Sequence, residues 1–342
     1  MSNSVDDILF KDIFRLNDEP FEYFDERAIH KLLTDRPEEY LDYVRRELIN
    51  IANNKSLLEM PAKQIFHDEA TRGDFRVMPC VVHCNGASRK TVKLIGTNIE
   101  QRMVRNQITV GKAFVFHPTD NYISHVFEAC LLSSARTGIC AALAVDVLSG
   151  PSSQSLTILG AGRVGFYAAL YAGTLSCIKK IIFLDIDQTR AAQAAEAISE
   201  QFPDKSIEYG RIDGCHTTDI LVIATTSNVP VCHPDSYIAK LIISLGADAD
   251  DQHELDPAWI DLTDHIYVDT MDSVRYGDLR LWKRNKLITD DQLIDLISVL
   301  KKDEPPSQEQ MRIFISTGAA LFDNITIGYL QSCGDGSRRL AV

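Results

Sequence analysis

The chain has 342 residues, 45% of them hydrophobic and 24% charged, with a formal net charge of −13. That length allows two domains with real cores, and that composition describes a soluble globular protein. So acidic a surface repels nucleic-acid phosphate, and no apolar run approaches the ~20 residues that span a bilayer, so neither nucleic acid nor membrane is an expected partner.

The opening Met1-Ser-Asn-Ser-Val-Asp-Asp lacks the basic start and apolar core of a signal peptide. A cytoplasmic location is therefore expected, and the eight cysteines are expected as reduced thiols. Cys80, His83 and Cys84 lie close together, but no second pair follows at zinc spacing, so no metal is expected. Cys130 and Cys140 read as small core residues.

In chain order, the first ~60 residues read mostly helical by their apolar spacing, as in Tyr40-Leu-Asp-Tyr-Val-Arg-Arg-Glu-Leu-Ile-Asn-Ile. Strand-like segments follow at Phe75–Val82, Thr91–Gly96 and Lys112–His117, with a hairpin turn at Pro118-Thr-Asp-Asn. An α+β region thus fills about residues 1–130. A long Ala-rich helix is predicted from about Ser133 to Leu148, ended by Ser149-Gly-Pro. Strands and helices then alternate, with strands at Leu156–Leu159, Ile181–Asp185, Ile220–Thr225, Leu241–Leu245 and His265–Val268, and a helix at Thr189–Gln201. That rhythm predicts a doubly wound parallel sheet over about residues 131–313. From Arg312 an apolar strand runs into a last helix.

The predicted strand Leu156–Leu159 leads into Gly160-Ala-Gly162-Arg163-Val164-Gly165 and a helix. An acid, Asp185, ends the next strand about 20 residues on, which completes the dinucleotide-binding fingerprint. Gly160 permits the tight turn, Gly162 lets backbone approach a pyrophosphate, and Gly165 lets helix pack on strand. The helix start, with Arg163 and Val164, offers N–H groups to phosphate. A carboxylate at Asp185 suits two ribose hydroxyls and repels a 2′-phosphate, which favours NAD over NADP. Ligands of such sheets sit beyond the carboxyl ends of the strands. That rule selects Thr225, Thr226 and Ser227 after one strand, and Gly246-Ala-Asp248 after another.

Three charges stand in unusual places. Lys93 interrupts the apolar Val92-Lys-Leu-Ile, either as a functional cation or on the wet face of an antiparallel strand. Arg136 opens the Ala-rich helix, where a cation opposes the dipole, so an anionic ligand would explain it. Its planar fork suits a carboxylate. Asp248 follows an apolar strand, in a polar run that also reads as a solvated loop. Two cations and a carboxylate beside a nicotinamide suggest amino-acid chemistry: an α-carboxylate held, an α-amine held or deprotonated, and an imine formed.

On its motifs the chain resembles the ornithine cyclodeaminase/mu-crystallin family. They are Arg76-Val-Met-Pro79, Val92-Lys-Leu-Ile-Gly96, Glu128-Ala-Cys-Leu-Leu-Ser-Ser-Ala-Arg136-Thr137-Gly138, Leu159-Gly-Ala-Gly162, Phe183-Leu-Asp185, Leu245 to Asp256 and Phe314 to Asp323. The resemblance implies a Rossmann domain and a substrate and dimerisation domain, the latter built from residues 1–130 and completed by 314–342. It implies that Lys93 and Arg136 bind the substrate carboxylate, with Lys63 as a further cation. Thr137 would lie near the cofactor phosphates, and Asp248 would serve the substrate amine or an attacking water. A homodimer or higher homo-oligomer is expected.

Two departures bear on substrate. Residues 97–106 replace a Pro-x-Asn segment of many relatives and look more like the member that splits an N-carboxyethyl-type adduct to release 2,3-diaminopropionate. Arg102 or Arg105 could bind a further carboxylate there, the alternative being plain surface charges. Asp250-Asp-Gln252 replaces Pro-Gly-Lys, and the surrounding frame looks more like the alanine-dehydrogenase members.

The expected function is an NAD-dependent enzyme acting at the α-C–N bond of an L-amino acid through an imine, ornithine cyclodeaminase-like. An alanine, imino-acid or opine-type dehydrogenase is the alternative within that class. A nicotinamide-cofactor and small-ligand binding protein of the mu-crystallin kind is a second reading, and a plain structural oligomer a third, which leaves the fingerprint unexplained.

Overall fold

Two amphipathic helices precede most of the first sheet. The structure is a computed structural model, and it describes residues 9–54, 57–68, 73–84, 86–98, 100, 103–104, 107–247, 252–302 and 311–339. After β1 (Glu22–Phe24), α1 (Glu26–Asp35) begins on Asp25, whose carboxylate accepts the Ala28 N–H at 2.8 Å. Helix α2 (Pro37–Asn53) starts on a proline, which needs no N–H partner there. Each helix buries one stripe: Ile29 and Leu33 in α1, and Tyr40, Val44, Leu48 and Ile51 in α2.

Strands β2 (Leu58–Glu59), β3 (Gln64–Asp68), β4 (Gly73–Cys84), β5 (Ala87–Asn98), β6 (Thr109–Phe116) and β7 (Ile123–Glu128) complete the first sheet. Its order is β1-β7-β6-β5-β4-β2, with β3 also on β4, and every pair is antiparallel except β1 with β7. The β4–β5 hairpin alternates strictly. Arg76, Met78, Cys80 and Val82 face inward, as do Thr91, Lys93 and Ile95, while Phe75 and Leu94 face out. A one-residue slip would reverse all of these, so the apolar pattern fixes Lys93 on the inner face.

Helix α3 (Cys130–Leu148) follows at once and is almost wholly buried. It starts three residues before the predicted Ser133, which places Arg136 nearly two turns into the helix. The dipole argument for Arg136 therefore falls, and its placement has another cause, described below. With 19 residues and a mean hydropathy of 1.5, α3 is long and apolar enough to cross a bilayer by length and composition, against the sequence expectation that no run is. Here 78% of that stretch is covered by the rest of the protein, as a core helix packed on other helices.

The second sheet is parallel throughout. It comprises β8 (Ser155–Leu159), β9 (Lys180–Leu184), β10 (Ser206–Gly210), β12 (Ile220–Ile223), β14 (Leu241–Ser244), β15 (Ile266–Val268), β16 (Leu293–Asp295) and β17 (Arg312–Ile315). Short β11 (His216–Thr217) and β13 (Tyr237–Ile238) pair separately. The order β10-β9-β8-β12-β14-β17-β15-β16 reverses direction at β8, which opens a crevice beyond the ends of β8 and β12. Strands β12, β14 and β17 are buried on both faces, as their unbroken apolar runs require. Helices α4 (Arg163–Gly173), α5 (Gln188–Gln201), α6 (Gly277–Arg284) and α7 (Leu296–Lys302) accompany this sheet. The last helix, α8 (Ala320–Arg339), leaves β17 and crosses the inner face of β4 and β5. It thereby joins the end of the second sheet to the wall that carries Lys93.

Candidate active site

A cleft of about 1070 Å³ lies between the carboxyl ends of the second sheet and the inner face of the first. One wall is the glycine turn. Gly160 has φ +102°, and a Cβ on Gly165 would lie 2.0 Å from the Gly160 carbonyl oxygen, so the turn and the helix start demand glycine at both positions. Gly162 is the N-cap of α4, with open space where a side chain would stand. Helix α4 thus presents its first N–H groups, at Arg163 and Val164, to the cleft. Asp185 follows β9 directly. Its carboxylate accepts the Ala161 N–H at 2.7 Å and the Asp187 N–H at 2.8 Å, and the Arg190 guanidinium lies 3.7 Å away. The acid is therefore pinned against the turn.

The opposite wall is cationic. Lys93 is 1% exposed, and its ammonium donates to Asp323 Oδ1 at 2.7 Å and to Ser133 Oγ at 3.2 Å. This excludes the wet-face reading of Lys93. Arg136 Nε lies 3.2 Å from the same Asp323 oxygen, and its guanidinium rests against Gly318, where a Cβ would meet it at 2.7 Å. Burial pulls the Lys93 ammonium down to about 8; Asp323 opposes the shift, and Arg136 adds to it. Lys63 donates to the Thr317 carbonyl at 2.8 Å and sits 3.7 Å from the centre of the Tyr276 ring. Arg76, also in the lining, is held by both oxygens of Asp74.

Buried carboxylates hold the loops between these walls. Glu254 accepts from the Thr225 N–H and hydroxyl, from Ser244 Oγ and from the Gly246 N–H, all at 2.7–2.8 Å. It thereby ties the end of β12 to the end of β14. Burial raises its carboxyl to about 7 against those four hydrogen bonds. Asp269 accepts from Ser316 Oγ at 2.7 Å and from the Gly318 N–H at 2.9 Å, fixing the turn between β17 and α8.

The cleft brings together Lys63, Lys93, Arg136, Thr137, Gly162, Arg163, Val164, Thr225 and Thr226. Gly160 and Asp185 lie behind its surface, as supports of the turn. Ser227 is turned into its own loop, its hydroxyl donating to the Val229 carbonyl. Asp248, Asp250, Asp251, Arg102 and Arg105 lie outside the described residues. Sequence reasoning passed over Asp323, Glu254 and Asp269 as site residues. A signal existed for Asp323: it is a charge set in the apolar helical run Ala319-Ala-Leu-Phe-Asp-Asn-Ile325.

A model of the ornithine cyclodeaminase/mu-crystallin family matches residues 30–332, and the chain belongs to that family. It is 24% identical over 229 residues to the iminosuccinate reductase of Paracoccus denitrificans, covering 66% of this chain and 70% of that one. It is 26% identical over 269 residues to the L-lysine cyclodeaminase of Streptomyces rapamycinicus, covering 77% and 76% respectively. Its fold is that of the Thermococcus litoralis Δ1-pyrroline-2-carboxylate reductase, solved with NADH and L-proline, with a TM-score of 0.79 at 20% identity over 91% of this chain and 96% of that one.

Proposed function

We propose that this protein is an NAD-dependent enzyme that makes or consumes an imine at the α-carbon of an L-amino acid. The observation that carries this reading is the convergence of Lys63, Lys93 and Arg136 on one cleft, facing the glycine turn that starts α4. The cofactor fits the residues present: open space at Gly162, the N-terminus of α4 facing the cleft, and a pinned acid at Asp185. When bound it supplies redox exchange at the α-carbon.

The protein's own part is placement and proton control. Arg136 and Lys93 bind the α-carboxylate, with Lys63 beside them, and so set which face of the α-carbon meets the cofactor. Lys93, with an ammonium near 8, also passes a proton at neutral pH. Thr137, Gly160, Gly162, Arg163, Val164, Thr225 and Thr226 form the cofactor side. The role of Asp248, at the amine or at an attacking water, rests on sequence. Residues 1–130 with 314–342 serve as the substrate and dimerisation part, and 131–313 as the NAD part. The homodimer reading is supported by the outer face of the first sheet, where Phe66 stacks on Phe75 at 4.6 Å and Leu94 is exposed.

The test is a panel. The protein is incubated with NAD and ornithine, lysine, alanine or N-carboxyalkyl amino acids, and with NADH, ammonia and 2-oxo acids in the reverse direction. Absorbance of NADH and free ammonia are recorded together. Ammonia from ornithine or lysine without NADH accumulation means a cyclodeaminase. Net change in NADH means an imino-acid, alanine or opine-type dehydrogenase. Tight NAD binding with neither signal favours the binding-protein reading.

A further inference from the structure

Three charges are buried together beneath the cationic wall, and only two of them are accounted for by substrate binding. Lys93 is 1% exposed, Arg136 7% and Asp323 2%. Both cations point at one oxygen, Asp323 Oδ1, at 2.7 Å from the lysine and 3.2 Å from the arginine. The other oxygen, Oδ2, has no hydrogen-bond partner among the described residues, and neither does Arg136 Nε. A carboxylate is costly to bury half-satisfied. Its placement therefore calls for a purpose other than helix packing.

We propose that Asp323 is the positioning residue of the carboxylate cradle: it pins Lys93 and Arg136 at one spacing and supplies the negative charge that lets both stay charged out of water. The proposal rests on the functional reading above only in taking the two cations as the carboxylate binders. Two cations held side by side repel, and a buried ammonium sheds its proton unless an anion stands beside it. The groups facing Lys93 among the described residues are Asp323 from α8, Arg136 and Ser133 from α3, and Lys63 ahead of β3. Asp323 is the sole anion of that set, and behind it lie the neutral Tyr40 and Cys80. Lys93 gives one N–H to Asp323 and one to Ser133, which leaves the third of its three donors for the cleft. Asp323 thus decides where that donor points and whether it carries charge. Because α8 starts at the end of β17, the same residue couples the cradle to the second sheet, and hence to the cofactor wall.

The experiment is a titration of the Lys93 ammonium by NMR on lysine-labelled protein, with the signal assigned by its loss in Lys93→Met. Asp323→Asn keeps the shape and removes the charge. The expected result is a titration midpoint lowered by about one pH unit or more relative to the unmodified protein. NAD affinity should stay within about twofold. On the substrate found by the panel, KM should rise about tenfold or more while kcat changes less, as for lost ground-state binding of a charged group. A midpoint that stays put in folded Asp323→Asn overturns the proposal, whatever the panel shows, because the titration needs no substrate. If Asp323→Asn fails to fold, the triple variant Lys93→Met/Arg136→Met/Asp323→Asn decides. Recovery of folding supports the pairing, since removing all three charges is far cheaper than stranding the two cations. Continued unfolding shows that Asp323 serves the fold independently of the two cations, and the proposal is wrong.

Discussion

The two walls of the cleft are built in opposite ways. The cofactor wall comes from one short stretch, 160–165, closed by a single acid at 185 that reaches back to the Ala161 N–H. The cation wall draws Lys63, Lys93, Arg136, Thr317 and Asp323 from across the chain, with 230 residues between Lys93 and its partner Asp323. A contiguous wall is limited by backbone geometry, so it tolerates little substitution. A distributed wall is limited by electrostatics and can be dismantled charge by charge while the fold survives.

Gly165→Val tests the first half of that contrast and should have the largest effect. Its Cβ would stand 2.0 Å from the Gly160 carbonyl oxygen and 2.9 Å from Ile158 Cγ2, neither of which can retreat without moving the turn. Roughly 3 kcal/mol of strain, about a hundredfold in the NAD dissociation constant, is expected. Calorimetric titration with NAD reads it, and wild-type affinity would show that the turn is not the cofactor site.

The same contrast explains what could be read from the sequence. The glycine turn, Asp185 and the parallel strands are local patterns, with periodicity and spacing inside a few tens of residues. Lys93 and Arg136 stood out as charges in apolar segments, and the family motifs added Lys63 and Thr137. Asp323 was marked only by the apolar run around it, and for Glu254, in a polar stretch of those motifs, nothing local tells a buried acid from an exposed one. Glu254 matters only because Thr225, Ser244 and Gly246 arrive around it at the ends of two strands. The shift of the α3 start from Ser133 to Cys130 had a tertiary cause as well. Glu26, at the start of α1, accepts the Cys130 and Leu131 N–H groups at 3.0 and 2.9 Å, and so caps a helix 104 residues away.

Arg136→Ala tests the distributed wall. It removes a charged hydrogen-bond donor and should cost about 2–3 kcal/mol of substrate binding, while NAD affinity stays within about twofold. Steady-state kinetics beside an NAD titration separates the two quantities. An unaltered KM would remove Arg136 from the carboxylate site, and a matching loss of NAD affinity would show that the walls are not separable.

Glu254 ties the end of β12 to the end of β14, and pH probes it. Burial pushes its carboxyl up to about 7 from the ordinary 4.5 of the free group. Between these values the folded protein holds a proton that the unfolded chain has released. The associated stability is full below the lower value and is lost as pH rises through the upper one, at about 1.4 kcal/mol per pH unit at most. Across that window a net change on the order of 2 kcal/mol is expected. Urea unfolding at pH 5 and pH 8 should show this loss in the native protein and a flatter dependence in Glu254→Gln. Equal pH dependence in the two would mean that Glu254 is ionised throughout.

Asp185→Ala is the mildest test, because Asp185 stands behind the cofactor wall rather than in it. Its two oxygens already accept the Ala161 and Asp187 N–H groups, so removal loosens the turn as well as the proposed ribose contact. NAD should bind about tenfold more weakly, or ~1.4 kcal/mol. NADP should lose less, because the repelling carboxylate goes while Arg190, now 3.7 Å from it, remains to meet a 2′-phosphate. Paired titrations with the two cofactors give the ratio. A ratio that does not move would leave Asp185 a brace of the glycine turn and nothing more, and the choice between NAD and NADP would have to lie elsewhere on the cofactor wall.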